Sequence, residues 1–252
     1  MKINKEKQFI QELSKINYSK NIIEIFEDFV KFCAYTISYS TGMKSNHLVE
    51  YEKFLKKYSK EEKRLFANLI VELVKEYSKE DPEDILGNVF ECLGISNKQR
   101  GQFFTPKEVC RVMGDISIDK ESAEKFINKQ GYVSINDPTC GSGRTLLYTL
   151  LKLKNLGVDL NKVYVEGDDI SQLCACITYI NLSLIGASGI VKYQDTLTLE
   201  VYDTFYTPSL LANKELLDCL VRDGYLIKKE NIKDDIQQVM PCSEEKDYVD
   251  SY

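Results

Sequence analysis

Apolar residues recur three and four positions apart over two long stretches near the N-terminus. Ile22, Ile23, Ile25, Phe26, Phe29, Val30 and Phe32 fall within residues 20–38, and Leu65, Phe66, Leu69, Ile70, Leu73, Val74 and Tyr77 within 60–78. That spacing puts each set on one side of a 3.6-residue helix. Two shorter helices are expected over 47–58 and over 83–94 after Pro82, and the aromatic stripes are read as core packing. Residues 95–105 interrupt the pattern with Gly94, Asn97 and Gly101 before Phe103-Phe104-Thr105-Pro106. Thr105 is a candidate N-cap, Pro106 suits the first helical position, and Glu108 lies where a capping box needs it, so a helix is expected over 106–117.

From residue 132 the period changes. Short apolar runs alternate with helical ones: strand 132–136, helix 143–155, strand 162–166, helix 171–186, strand 189–194. Strands that alternate with helices imply right-handed crossovers and a parallel sheet. The first strand runs into Asp137-Pro138-Thr139-Cys140-Gly141-Ser142-Gly143, a glycine turn between strand and helix, where open α/β sheets take nucleotide-like ligands. Two glycines let backbone approach a ligand that a Cβ would push away. No lysine follows them as in a phosphate-binding loop, and the spacing is not that of a dinucleotide fingerprint. Asp137 would repel a phosphate, so the loop suits a zwitterionic amino-acid moiety better. The second strand ends in Glu166-Gly167-Asp168-Asp169 and the third in Gln194-Asp195-Thr196. Single acids at strand ends are usually caps, but acids ending three consecutive strands at one edge point to a cofactor site.

Composition narrows the class. The chain has 252 residues, 43% hydrophobic, with a net charge of −6 whose acidic excess lies beyond residue 98. That sign opposes free-standing nucleic-acid binding, so any grip on DNA needs a local basic patch or a basic partner. No apolar run approaches a membrane span and the charged N-terminal residues lack a secretion signal's core, so the chain is expected in the cytoplasm with no membrane partner. The eight cysteines are scattered without C-x-x-C spacing and read as reduced thiols; with one histidine, His47, expected as a surface or capping residue, no metal site is expected.

The motifs together resemble the class I S-adenosylmethionine-dependent methyltransferases, and within them the adenine-N6 DNA methyltransferases similar to modification subunits of type I restriction systems. Gly101-Gln102-Phe103-Phe104-Thr105-Pro106 resembles the family's segment before the first helix, Asp137 to Gly143 its cofactor loop, Gly167-Asp168-Asp169-Ile170 its acidic motif, and Asn181-Leu182 and Asp195-Thr196-Leu197 its downstream motifs. The resemblance implies S-adenosyl-L-methionine as cofactor. Phe104, Thr105 and Pro106 would close over the methionine end; Asp137, Thr139, Gly141 and Gly143 would hold the methionine portion; Asp169 with Ile170 would take the ribose side, and Asp195 the adenine amino group. Arg144 departs from the small residue usual after the loop and is expected to reach a carboxylate or a partner. The implied fold is a truncated Rossmann-like methyltransferase sheet behind a helical domain, with 1–98 helical, 99–228 cofactor-binding and 229–252 an acidic tail. A strand is expected over Gly224-Tyr225-Leu226-Ile227.

The family activates the adenine amine with an Asn or Asp and a backbone carbonyl in a loop that carries two prolines and an aromatic ring. Here Tyr202-Asp203 resembles the start of the strand before that loop, and Tyr206, Thr207 and Pro208 are the weak catalytic candidates left in its place. The isolated chain is therefore expected to lack a complete acceptor site, and two readings stay open ahead of a third, a small-molecule or protein amino-methyltransferase with an altered acceptor loop, which the helical N-terminal region and the Phe-Thr-Pro segment disfavour. One is a modification-type methyltransferase acting on DNA through a specificity subunit or other partner, as part of a homo- or hetero-oligomer. The other is a cofactor-binding homologue that has lost the chemistry and serves as a regulator, decoy or accessory subunit.

Overall fold

The computed structural model describes residues 4–17, 19–42, 45–95 and 104–226. Five helices build the N-terminal part: α1 (Lys5–Ser14), α2 (Ile22–Ser40), α3 (Ser45–Lys57), α4 (Lys60–Tyr77) and α5 (Ile85–Cys92). Each of the four expected from periodicity is present, and α1 adds a fifth. Side-chain caps start them: Ser59 and Glu62 form a reciprocal capping box on α4, and Asp84 caps α5 through Gly87 N–H. Their aromatic stripes meet as core. Phe32 stacks on Phe54 with centroids 4.0 Å apart, and Phe29 on Phe66 at 5.8 Å.

Two further helices, α6 (Lys107–Ser117) and α7 (Lys120–Gln130), lead into a four-stranded sheet: β1 (Val133–Asp137), β2 (Val163–Asp169), β3 (Ser188–Asp195) and β4 (Glu200–Tyr206). Helices α8 (Arg144–Asn155) and α9 (Gln172–Leu184) make the crossovers, and the short α10 (Pro208–Ala212) and α11 (Lys214–Arg222) follow β4. The order is β1-β2-β3-β4, parallel across the first three strands and antiparallel between β3 and β4. This is the expected mixed α/β class with a truncated parallel sheet.

Both crossover helices lie on one face of the sheet. Helix α9 is buried along Leu173–Leu182 because β2 and β3 cover one side and α2 the other. One apolar cluster therefore runs from Phe9 and Phe26 through Leu86 and Phe90 to Val165 and Val191. Among the described residues the opposite face is covered near the strands' N-terminal ends, where Tyr132, Tyr164 and Ile190 pack on Leu210, Leu216, Leu217 and Leu220.

Several expectations change. Thr105 does not cap α6; Pro106 occupies the cap position without a side-chain bond, and the Thr105 carbonyl instead accepts from Arg144. His47 is 1% exposed, not on the surface: its Nδ1 faces Ser38 Oγ at 2.6 Å and its Nε2 faces Asp203 at 2.9 Å, tying α2 and α3 to β4. Gly224-Tyr225-Leu226 is no strand but the turn that ends α11, with the Tyr225 and Leu226 amides on the Leu220 carbonyl. Gly101, Gln102, Phe103, Ile227 and the acidic tail lie outside the described residues.

Candidate cofactor site

The C-terminal edges of β1, β2 and β3 meet at a cavity of about 520 Å³ lined by Phe104, Pro138, Thr139, Gly141, Asp169, Ile170, Cys174, Asp195, Thr196 and Leu197. That size suits a drug-sized or nucleoside ligand. The glycine loop forms one wall because its backbone takes left-handed turns, with φ of 58° at Gly141 and 74° at Gly143. A Cβ on Gly141 would lie 2.9 Å from the Phe104 ring, and one on Gly143 would strike Thr178 at 2.8 Å. Gly141 thus lets the loop pass under Phe104, whereas Gly143 lets it pack against α9 and turn into α8. Thr196 Oγ1 donates to the Pro138 carbonyl at 2.7 Å and joins the loops after β3 and β1 over the end of β2.

Asp169 is nearly buried; Oδ2 accepts from Gly141 N–H at 2.9 Å and Oδ1 from Ser171 N–H at 2.7 Å. Each carboxylate oxygen keeps lone-pair capacity for one more donor. Burial pushes its carboxyl above the usual range against those two amides. Asp137 is likewise pushed up by burial, opposed by the Thr139 amide. A cation or a pair of hydroxyls at the cavity would favour the charged forms. In Asp195, Oδ1 accepts from Leu197 and Thr198 N–H, which leaves Oδ2 for a ligand. Next to Asp169 but on the other side of the sheet, Asp168 is buried with its Oδ1 unpartnered, and burial pushes it up to about 6.

Behind the loop lies a polar knot that periodicity does not reveal. The buried Asp84 carboxylate accepts from Ser142 Oγ at 2.5 Å, Arg144 Nε at 3.1 Å, Asn181 Nδ2 at 2.9 Å and Gly87 N–H at 2.8 Å. Arg144 goes on to Asn88, Glu91 and the Thr105 carbonyl. Burial alone would lower its pKa, but Asp84 and Glu91 hold it above the ordinary value. The guanidinium that looked misplaced at a helix start therefore clamps the glycine loop, the Phe104 segment and α5 together.

Of the residues expected at the site, Phe104, Thr139, Gly141, Asp169, Ile170 and Asp195 line the cavity. Thr105, Pro106, Asp137 and Gly143 do not line it and stand one step behind. Pro138, Cys174, Thr196 and Leu197 are additional lining residues. Tyr206, Thr207 and Pro208 lie elsewhere. Thr207 is fully buried; its hydroxyl donates to the Ala187 carbonyl at 2.7 Å and accepts from Gly189 N–H at 2.9 Å, at the N-terminal end of β3. Six strand residues separate that end from Asp195, about 20 Å at 3.3 Å per residue. A groove of about 470 Å³ between α1 and α4 includes Glu76, with which both Lys5 and Lys79 pair. No cluster that could hold a metal ion occurs among the described residues, and no described helix is long and apolar enough to cross a membrane.

A glycine turn and acids at the C-terminal edge of a parallel sheet define the class: an α/β protein with a nucleoside-type cofactor site. A family model described as N-6 DNA Methylase matches residues 81–240, from just before Asp84 onward, and the chain belongs to that family. The family's cofactor is S-adenosyl-L-methionine. Among curated proteins, the type I restriction enzyme MjaIX methylase subunit of Methanocaldococcus jannaschii is 29% identical over 119 residues, 45% of this chain and 19% of the relative. The match thus spans about a fifth of that relative's length. A crystal structure from Listeria monocytogenes, titled as a class I S-adenosylmethionine-dependent methyltransferase, aligns with 93% of this chain and 77% of its own at 14% identity and a TM-score of 0.41.

Proposed function

We propose that the chain is the S-adenosylmethionine-binding component of a DNA adenine-N6 methyltransferase of the modification-subunit type, and that a partner chain supplies the groups that activate adenine. The cavity that carries this reading offers the Asp169 and Asp195 carboxylates for the cofactor's ribose hydroxyls and adenine amine, with Asp137 one step behind to attract its ammonium, and apolar walls in Phe104, Ile170 and Leu197. Its acids attract a sulfonium-bearing cation and repel a polyanion. When bound, the cofactor supplies an electrophilic methyl group.

In this reading Asp169 holds the ribose diol with the lone pairs its two backbone donors leave free, while Asp195 Oδ2 takes the adenine amine. Gly141 brings its backbone within reach of the methionine portion, and Phe104, stacked on Phe90 with centroids 4.8 Å apart, excludes water from one side. Thr139 and Ile170 complete the same walls, and Thr105, Pro106, Asp137 and Gly143 back them. Chemistry at adenine N6 further needs an acceptor for the amine's hydrogens, because its lone pair is delocalised into the ring. Thr207 cannot serve, since its hydroxyl is engaged at the far end of β3. That position favours one other reading, a cofactor-binding regulator that transfers nothing.

Incubation with tritiated S-adenosylmethionine and mixed-sequence DNA separates the two. The chain alone is expected to incorporate no label, and the chain with specificity or modification subunits from the same source is expected to label adenine. Incorporation by the chain alone would overturn the assignment of the acceptor groups to a partner. Binding without incorporation in every combination would leave the regulator.

A further inference from the structure

The turn from β3 to β4, residues 196–199, borders the cofactor cavity: Thr196 and Leu197 line it, whereas Leu199 does not. Turn positions ordinarily take glycine, proline or a small polar residue. Here two leucines stand in water, Leu197 96% and Leu199 73% exposed, and Ile170 in the cavity wall is 56% exposed. A single exposed apolar side chain needs no explanation. Leu199, however, breaks a second local rule at the same position. Its φ of 61° makes it the one non-glycine residue with a positive φ among those described. Leucine enters that region only against the contact of its Cβ with the following carbonyl, which glycine or asparagine escapes or tolerates. A residue that opposes both its solvent and its backbone preference marks a functional position, since packing does not account for it.

The hydrogen bonds of the turn show where it is fixed and where it is loose. Thr196 Oγ1 donates to the Pro138 carbonyl at 2.7 Å, which anchors the near end on the loop after β1. Beyond that anchor, the Leu197 and Thr198 amides lean on Asp195 Oδ1 at 2.9 and 3.3 Å, and the Glu200 amide reaches Thr198 Oγ1 at 3.4 Å. The tip therefore rides on the carboxylate whose other oxygen is left for a ligand. A donor that binds Oδ2 re-aims the group that holds the tip.

We propose that this turn is a strap that closes over the bound cofactor and brings Leu199, remote from the open cavity, onto the purine ring. The inference rests on the cofactor reading above and adds to it a moving wall. Thr196 is the hinge, Asp195 couples ligand to strap, and Leu199 leaves the left-handed region as its side chain turns from water to the ligand. Closure covers the lip that Leu197 and Ile170 leave open. A rigid cavity gives Leu199 no part in binding; a closing one makes it a contact.

The chain contains no tryptophan, so Leu199→Trp in the full chain places a single indole on the tip. Its emission should shift to the blue, and its quenching by acrylamide should fall, when S-adenosylmethionine or the demethylated product saturates the protein in a calorimetric titration. Leu199→Ala, whose fold is checked by circular dichroism, should release S-adenosylmethionine about tenfold faster in stopped flow, because one leucine no longer leaves water on binding. Should the indole itself block binding, Leu199→Ala decides alone. Binding heat with an unmoved indole, or release from Leu199→Ala as slow as from the wild type, would overturn the strap and leave the cofactor reading intact. Absence of binding heat in the wild type would overturn both.

Discussion

Replacing Asp84 by alanine removes the acceptor of four hydrogen bonds at once. Arg144, with its side chain 6% exposed, would keep Asn88, the Thr105 carbonyl and the half-exposed Glu91, but would lose its buried counter-charge. Removing one partner of a buried ion pair costs about 3–5 kcal/mol. Loss of the α5 cap costs about 1 kcal/mol more, while Glu91 returns part of the charge compensation. The balance is about 4 kcal/mol, nearly three powers of ten in the folding equilibrium and a large share of the roughly 5–15 kcal/mol that holds a domain together. Urea unfolding of the wild type, Asp84→Ala, Arg144→Met and the double variant measures both the loss and the coupling. Asp84→Ala should be the most damaging single change, and the coupling should be at least about 2 kcal/mol because the two side chains share one network. A loss below about 1 kcal/mol, or additive single effects, would refute the claim that this pair clamps the glycine loop to the N-terminal helices.

Other consequences are smaller and separately measurable. Asp168 has a folded pKa of about 6 against about 3.9 unfolded, so protonation stabilises the fold fully below about pH 4, and that stabilisation is lost as pH rises through about 6. Asp168→Asn keeps the neutral form throughout; at about 1.4 kcal/mol per unit of pH, chemical denaturation should show it about 3 kcal/mol more stable at pH 8, with the advantage gone near pH 4. A pH-independent difference would mean that Asp168 is not the group responsible. Gly141→Ala places a methyl group against Phe104 at a left-handed φ and should cost about 1–3 kcal/mol in a thermal melt while weakening cofactor binding. His47→Ala removes the partner of Ser38 Oγ and one partner of the Asp203 carboxylate and should cost about 2–3 kcal/mol, read by urea titration; a neutral effect would contradict its role as the tie between α3 and β4.

The parallel core of the sheet was legible because its signals are local. Each crossover carries its own change of period and its own polar strand end, and the described strands and helices begin within a residue or two of where those signals lie. Thr105 misled because a capping box is also local, whereas its carbonyl is claimed by Arg144 from 39 residues away. Asp84 gave no warning at all: Ser142, Arg144 and Asn181 are 58, 60 and 97 residues distant, and only the packing of α5 against the loop brings them together. His47 was hidden in the same way, its partner Asp203 being 156 residues on.

The reversal of β4 had a signal that the motif resemblance overrode. Only Thr196–Leu199 separate β3 from β4, too few for a crossover, so the chain turns back as an antiparallel hairpin. Leu199 takes a φ of 61°, unusual for a side-chain-bearing residue, to make that turn. Counting those residues would have placed Tyr206, Thr207 and Pro208 at the far edge of the sheet. Leu197 was singled out only as part of a motif, and Cys174 not at all, because an apolar residue in a loop or an amphipathic run looks like core until the cavity shows which side it faces.

The central claim is that the cavity between the glycine loop, Asp169 and Asp195 binds S-adenosylmethionine. Calorimetric titration of the full chain with S-adenosylmethionine and with its demethylated product, beside the Asp169→Ala variant, tests it most directly. Saturable one-to-one heat for the wild type, weakened about tenfold or more in the variant as hydrogen bonds to a charged group are lost, is the predicted result. No heat with either ligand, or binding that Asp169→Ala leaves unchanged, would contradict it.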